Sequence, residues 1–566
     1  MSAGHARAGK SSWWLLAAGL PALLYLPTLR YGFVFDDVPL LARNAALDDL
    51  SRIASFFTRD IDAVWRGADS PQSSYYRPLF LVLAAFFKSA AGTSPVAWHA
   101  AAIGLFALTG VLAAVLLRSY GLSSFQAVGA AALFAVHPAV VDSVAWVSGL
   151  QDQLLAVLGL GAAIAWRRYT TEGGGVGLAA LGAVYAAALL SKEAAVGLLL
   201  FAALDGAIGV RRREIPARRF ATGLGLLAIE TALYLGIRVA VLGALAHPFP
   251  TAPGLLGTLA TLPVVLLEYT RIAFFPVGLA LLSPVRPVVD PFSIRVLACA
   301  FGVAVLAAGA AVAVRRRPSL LRPAAWSLAW LAPALNLWAV NPEWLVMNRY
   351  LFLPVLGLAW AIVDAGSALA RPRLAAAAGT LLVVVWAGLS LQAMPAFCDE
   401  RIFWARMIEA DPSSATAWAE RGRMLLEDGD PKGARTAFER ARRLDPAHLL
   451  VRLRLALLDL AEGRPGEAAQ ALRELTRISP GYIPAWRNLP VALARSGAGE
   501  AALAAAEEAV RRFPGAADLQ VNHAILLANR GRLAEALEAI RRARALAPRD
   551  AETALREAQL LEALGR

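Results

Sequence analysis

Over roughly the first two thirds of the chain, long apolar runs alternate with short polar stretches. A membrane-crossing helix needs about 20 mostly apolar residues. Runs of that kind lie near 12–29, 96–117, 124–140, 147–165, 175–190, 193–210, 219–243, 294–314, 321–340, 349–370 and 374–394. The stretch 257–283 is also apolar but is interrupted by Glu268, Arg271 and Pro276, and reads as a hairpin or a re-entrant segment. No small-residue cleavage site follows the first run, so it reads as an anchor and not a removed signal peptide.

After residue 398 the pattern changes. Pro412, Pro446, Pro480, Pro514 and Pro548 recur every 34 residues, as do Gly429, Gly463, Gly497, Gly531 and Gly565. Ala434, Ala468, Ala502 and Ala536 keep the same period. A 34-residue helix–turn–helix unit with a small residue at the tight contact and a closing proline is the tetratricopeptide pattern. About four full repeats and a truncated fifth are expected, stacked as a superhelix with a concave peptide-binding face. The expected fold is therefore all-α: a polytopic helical membrane domain over 1–398, then a tetratricopeptide solenoid over 399–566.

Composition agrees. The 566 residues are 58% hydrophobic and 17% charged, with a mean hydropathy of +0.55, which excludes a single soluble domain and a disordered chain. Cys299 and Cys398 are too few for a disulfide framework or a thiolate metal site, and Cys299, within an apolar run, reads as core packing. The net charge of +13 raises the question of nucleic acid, but the placement of the arginines decides against it. Basic clusters occupy alternate loops: Arg7 with Lys10, Arg118, Arg167-Arg168, Arg211-Arg212-Arg213 with Arg218-Arg219, Arg315-Arg316-Arg317 with Arg322, and Arg371 with Arg373. Loops near 138–146, 244–256 and 340–347 carry none. By the positive-inside rule the N-terminus is cytoplasmic. Parity then requires 257–283 to leave and return on the outer side, and the repeats lie outside.

The outer face collects the polar motifs. Loop 30–95 carries Phe35-Asp36-Asp37, Asn44 and Tyr75-Tyr76-Arg77-Pro78. His137-Pro138 precedes Asp142, Ser191-Lys192-Glu193 sits at a junction between two spans, and Asn348-Arg349-Tyr350 opens another. Ionisable groups at membrane depth are costly and mark functional sites. Their convergence points to an active site at the outer membrane boundary. Trp13, Trp14, Trp65, Trp98 and Trp146 read mainly as interfacial anchors.

The order Phe-Asp-Asp, Tyr-Tyr-Arg-Pro, His-Pro with Asp142, Val144-Ala145-Trp146, Asp152, Leu190-Ser191-Lys192-Glu193 and Arg349-Tyr350-Leu351-Phe352-Leu353-Pro354, followed by repeats, resembles the transmembrane-and-tetratricopeptide O-mannosyltransferase-like proteins of the GT-C glycosyltransferase fold. That resemblance implies transfer of a sugar, a mannose-like hexose, from a polyprenyl-phosphate carrier to an acceptor hydroxyl such as Ser/Thr of a protein. A hydroxyl nucleophile needs a general base, and the resemblance makes Asp36 the leading base, with Asp37 orienting the acceptor or a metal. The pair has a second reading as a helix cap before Val38. A departing lipid phosphate needs cationic stabilisation. Arg349 suits it, or else is a snorkelling interfacial arginine. Lys192 is a second phosphate contact, or pairs structurally with Glu193. Arg77 contacts the donor or folds the loop. Asp142, His137, Glu193 and Tyr350 shape the acceptor side, although His137 also reads as a hydrogen-bonded span terminus. No nucleotide cofactor is indicated. The Asp36-Asp37 pair could hold a divalent cation, Mg²⁺ or Mn²⁺, with Asp37 as the candidate ligand.

The expected partners are the lipid-linked donor, the bilayer and a protein bound by the repeats, with no nucleic acid. The Ala- and Arg-rich composition suggests a bacterial inner membrane with the repeats in the periplasm. A non-catalytic envelope scaffold working through its repeats is the alternative function.

Overall fold

The computed structural model describes residues 12–66, 75–247, 254–279, 283–338, 340–548 and 550–565, without the side chains of Ser12, Trp13, Ala63, Trp65 and Arg66. The basic cluster Arg7 and Lys10 lies outside the described residues. Among the described residues every element is helical. The chain divides into two compact units, Met1–Asp411 and Pro412–Arg566.

In the first unit the principal helices are α1 (Ser12–Tyr25), α2 (Pro78–Ala91), α3 (Pro95–Ser119), α4 (Ser124–Val136), α5 (Leu150–Glu172), α6 (Gly175–Ser191) and α7 (Val196–Arg211). They continue with α8 (Ala217–Leu242), α9 (Leu255–Phe274), α10 (Ile294–Arg316), α11 (Leu321–Leu331), α12 (Pro354–Gly366), α13 (Pro372–Ala393) and α14 (Glu400–Ala410). Among the described residues seven apolar helical stretches are long enough to cross a membrane: Pro95–Ser119, Val147–Glu172, Glu193–Arg211, Ala217–Leu242, Leu255–Phe274, Ile294–Arg316 and Pro372–Phe397. A polytopic helical membrane domain is thus established. Along α10, Leu297, Phe301 and Val305 remain more than half exposed, as suits side chains facing lipid. Cys299 on that helix is half-buried and not core. Small residues let the inner helices approach closely. A Cβ at Gly110 of α3 would lie 2.4 Å from the Ala17 carbonyl oxygen of α1, and one at Gly357 of α12 would lie 2.6 Å from that of Pro323 of α11.

Three sequence expectations change. The run 124–140 is broken: α4 ends at Val136 and the chain bends by 62° into Pro138–Ala145, because a proline disfavours the α conformation of the residue before it. The run 321–340 loses its helix at Leu331, and 349–370 is helical only from Pro354 to Gly366, with prolines again near the boundaries. The stretch 257–283 is no helical hairpin, since α9 is continuous through Pro263, Glu268 and Arg271. Its two charges pair with each other, Arg271 Nη2 to Glu268 Oε1 at 2.8 Å, so neither breaks the helix. Beyond the helix, the Val288 amide donates to the Thr261 hydroxyl at 2.9 Å.

The second unit is a helix-pair array: Ala415–Glu427 with Pro431–Leu444, Leu449–Ala461 with Pro465–Ile478, Ile483–Arg495 with Gly499–Arg512, Ala517–Ala528 with Leu533–Leu546, and a final Ala551–Ala563. The periodic glycines sit in the turns at φ between 68° and 84°, a left-handed conformation that costs glycine little. Ala434, Ala468, Ala502 and Ala536 are fully buried, where the paired helices meet.

Candidate functional site

The chain leaving α1 makes a tight turn through Phe35-Asp36-Asp37. Asp37 is fully buried. Its Oδ1 accepts from both the Ser148 amide and the Ser148 hydroxyl at 2.6 Å, and its Oδ2 accepts from the Val34 amide at 3.1 Å. These bonds tie the turn to the segment between the bent helix and α5. Asp37 makes no side-chain cap bond to the helix after it, so the capping alternative does not describe it. With both oxygens accepting from protein donors, Asp37 clamps the turn to the segment that carries Ser148. Among the described residues no group of three His, Cys, Asp or Glu side chains gathers that could hold a metal. Asp36, next to it, is partly exposed.

Burial pushes the Asp37 carboxyl up to about 7 against the ordering effect of the Ser148 and Val34 donors, and the neighbouring Asp36 charge adds to the rise. A carboxyl whose folded pKa is raised contributes stability below the unfolded value of 3.8 and loses it as pH rises through about 7. Asp37→Asn can accept at only one of the two positions, so it should cost about 1–3 kcal/mol near pH 4. The penalty should shrink as pH passes 7. Thermal midpoints of the purified protein and the variant across pH 4–8 check this; parallel curves would contradict the assignment.

The cationic candidates gather around two carboxylates. Arg349 reaches Asp152 Oδ2 with Nε at 2.8 Å and Nη2 at 2.6 Å, and its guanidinium lies 4.8 Å over the Trp146 ring. Lys192 pairs with Asp152 Oδ1. Arg77 grips Glu193 with Nε at 2.9 Å and Nη2 at 2.5 Å and also donates to Gln151. Local breaks in helix create this meeting point. Lys192 is extended (φ −161°, ψ 136°) between α6 and the turn Glu193–Ala195, Arg77 directly precedes α2, and Asp152 lies in the first turn of α5. The paired alternative for Lys192 is therefore altered, with Asp152 and not Glu193 as its partner.

Asp152, Lys192, Glu193 and Arg349 line a cavity of about 840 Å³ whose walls also include Leu155, Val196, Leu200, Trp330, Trp338 and Phe352; Arg77 is joined to it through Glu193. Tyr350 and Tyr75 also line it. Arg238 of α8 also lines the cavity; its Nε donates to the Leu245 carbonyl at 2.8 Å.

Two of the site-shaping candidates lie apart from the cavity. His137 is fully buried; its Nδ1 accepts from the Ala139 amide at 3.1 Å, its Nε2 contacts the Ala273 carbonyl at 3.0 Å, and its ring meets Trp386 edge-on. It is the hydrogen-bonded span terminus. Asp142 is buried against the Asn348 side chain. Trp98 and Trp146 are buried and not interfacial; Trp146 forms the floor under Arg349. Sequence reasoning gave Asp152 no role of its own and passed over Arg238. Arg238 stood out as a lone cation inside the run 219–243, a signal that intramembrane charge provides.

Tetratricopeptide-repeat family models match residues 425–491 and 491–551. Among curated proteins, the chain is 31% identical over 201 residues to "Protein O-mannosyl-transferase Tmtc1" of Drosophila melanogaster, covering 35% of this chain and 23% of that protein. It is 30% identical over 199 residues to "Protein O-mannosyl-transferase Tmtc2" of the same organism, covering 34% of this chain and 21% of that one. The match thus spans less than a quarter of the length of these relatives. Among solved structures, PilF of Pseudomonas aeruginosa is similar at 20% identity and TM-score 0.27, over 29% of this chain and 76% of that one. YrrB, a tetratricopeptide protein, is similar at 25% identity and TM-score 0.25, over 28% and 83%. The molecule is a polytopic helical membrane protein carrying a tetratricopeptide array. Within that class it resembles the transmembrane-and-tetratricopeptide O-mannosyltransferase-like proteins, in agreement with the order of its motifs.

Proposed function

We propose that this chain is a GT-C type membrane glycosyltransferase that moves a mannose-like hexose from a polyprenyl-phosphate to a hydroxyl, Ser or Thr of a protein, on the non-cytoplasmic face. One observation carries the reading: a cavity lined by Lys192, Arg238 and Arg349 is also lined by apolar side chains such as Leu155, Val196, Leu200 and Trp330, the pairing that a lipid phosphate demands. In the reaction the acceptor oxygen attacks the anomeric carbon while Asp36 takes its proton. The bond from that carbon to the phosphate oxygen breaks, and its electrons leave with the phosphate. Arg349 and Lys192 meet the growing negative charge, and Asp152 keeps both cations oriented before the donor arrives. Glu193 and Gln151 hold Arg77 in the same layer.

The repeats supply a concave surface that we assign to an extended protein acceptor. Removing residues 412–566 should leave turnover of a short acceptor peptide near that of the intact chain and weaken use of a full-length acceptor protein. Equal loss on both would show that the repeats instead stabilise the membrane unit. The basic-loop alternation supports a cytoplasmic N-terminus and periplasmic repeats in a bacterial inner membrane. The experiment for the function is sugar transfer by purified protein from a polyprenyl-phosphate hexose.

A further inference from the structure

Phe35, directly before the proposed base, has φ of +48°. A bulky residue in that region is a true outlier, and it persists only where its surroundings hold it there. The surroundings are an aromatic cage. The Phe35 ring stacks on Trp146 at 5.8 Å and on Phe403 at 6.0 Å, and meets Trp404 edge-on at 5.0 Å and Trp344 at 5.9 Å. Two of the four rings belong to α14, the helix beyond the last membrane span, and both are buried. An independent tether joins the same segments: the Gly32 amide donates to the Cys398 carbonyl at 3.0 Å. Aromatic pairs at these separations attract beyond their buried area, so the cage can hold a backbone that would otherwise relax to negative φ.

Resting on the proposed transferase reading, we propose that α14 is a positioning element of the active site: Phe403 and Trp404 lock Phe35 in its left-handed conformation and so fix where the Asp36 carboxylate points. A relaxed Phe35 rotates the peptide that carries Asp36. Catalysis is sensitive to such displacements, since a 1 Å misplacement costs about 10²-fold in rate.

The test uses the full chain. Trp404→Ala should lower kcat about 10²-fold with the KM for the lipid donor unchanged, because Trp404 does not line the donor cavity. Trp404→Phe, which restores a ring, should recover most of the loss. Phe35→Gly reaches positive φ freely but is not held there, so it should resemble Trp404→Ala, and combining the two should cost little more than either, as for residues acting as one unit. Unchanged kcat in Trp404→Ala, multiplicative loss in the double variant, or loss matched by the fall in folded protein would overturn the proposal. A second readout needs no activity. In a chain with Cys299 and Cys398 replaced by serine, Asp36→Cys is labelled by a maleimide, and adding Trp404→Ala should change the labelling rate; an unchanged rate also overturns it. If labelling shifts while the wild-type protein transfers no sugar, the positioning stands and the transferase reading fails.

Discussion

Asp36→Asn should abolish sugar transfer while leaving the protein inserted and folded. The two side chains are nearly isosteric, and both serve well as helix caps, so a purely structural role predicts a stability change of only a few tenths of a kcal/mol. Loss of a general base costs about 10²–10⁴ in rate. The neighbouring pair sharpens the contrast. Asp37 is buried with both oxygens occupied by Ser148 and Val34, so its amide variant should lose stability first and rate only with it. Rates and thermal midpoints measured together on both variants decide the ranking. A wild-type rate in Asp36→Asn would remove it as the base, and a folded but inactive Asp37→Asn would reverse the order.

Asp152→Asn should be the most destabilising single change in the cavity. Asp152 is buried between Arg349 and Lys192. Removing one partner of a buried ion pair leaves uncompensated charge and costs about 3–5 kcal/mol. Two cations are stranded here, not one. A phosphate ligand replaces the missing anion, so a polyprenyl-phosphate should raise the thermal midpoint of the variant by more than it raises that of the wild type. Ligand stabilisation follows affinity for the folded state, and the empty variant has the greater unmet demand. An equal or smaller shift in the variant would place the phosphate elsewhere.

The repeat array was legible because its signals are local: Gly429, Gly463 and their successors each answer one turn, and Ala434 and its successors each answer one tight contact. The runs 96–117, 147–165, 193–210, 219–243, 294–314 and 374–394 match helices of membrane length, whereas 175–190 forms the shorter helix Gly175–Ser191. Pro138 hid a broken helix inside a uniformly apolar run. Conversely, the Glu268–Arg271 pair suggested a break that the helix absorbs, because the charges satisfy each other one turn apart, while Pro276 does fall beyond the helix end at Phe274. The cationic candidates were visible as intramembrane charges, but their partners were not. Arg349 meets Asp152 across 197 positions of sequence and Arg77 meets Glu193 across 116, pairings that only the packing of α2, α5, α7 and α12 creates. The boundary placed at 398 followed the end of the last apolar run. Phe403 and Trp404 carry the first unit to Asp411, and nothing in the local pattern tells that their rings close on Phe35.

Sugar transfer by the purified, full-length protein is the most direct measurement of the central claim. A polyprenyl-phosphate hexose is supplied with a Ser/Thr-containing acceptor, and a nucleotide-linked form of the same sugar is supplied in parallel. The account predicts glycosylated acceptor from the lipid-phosphate donor, none from the nucleotide sugar, and loss of product when Asp36 becomes Asn. Absence of product with every lipid-linked sugar tried, or transfer from the nucleotide sugar alone, would contradict it.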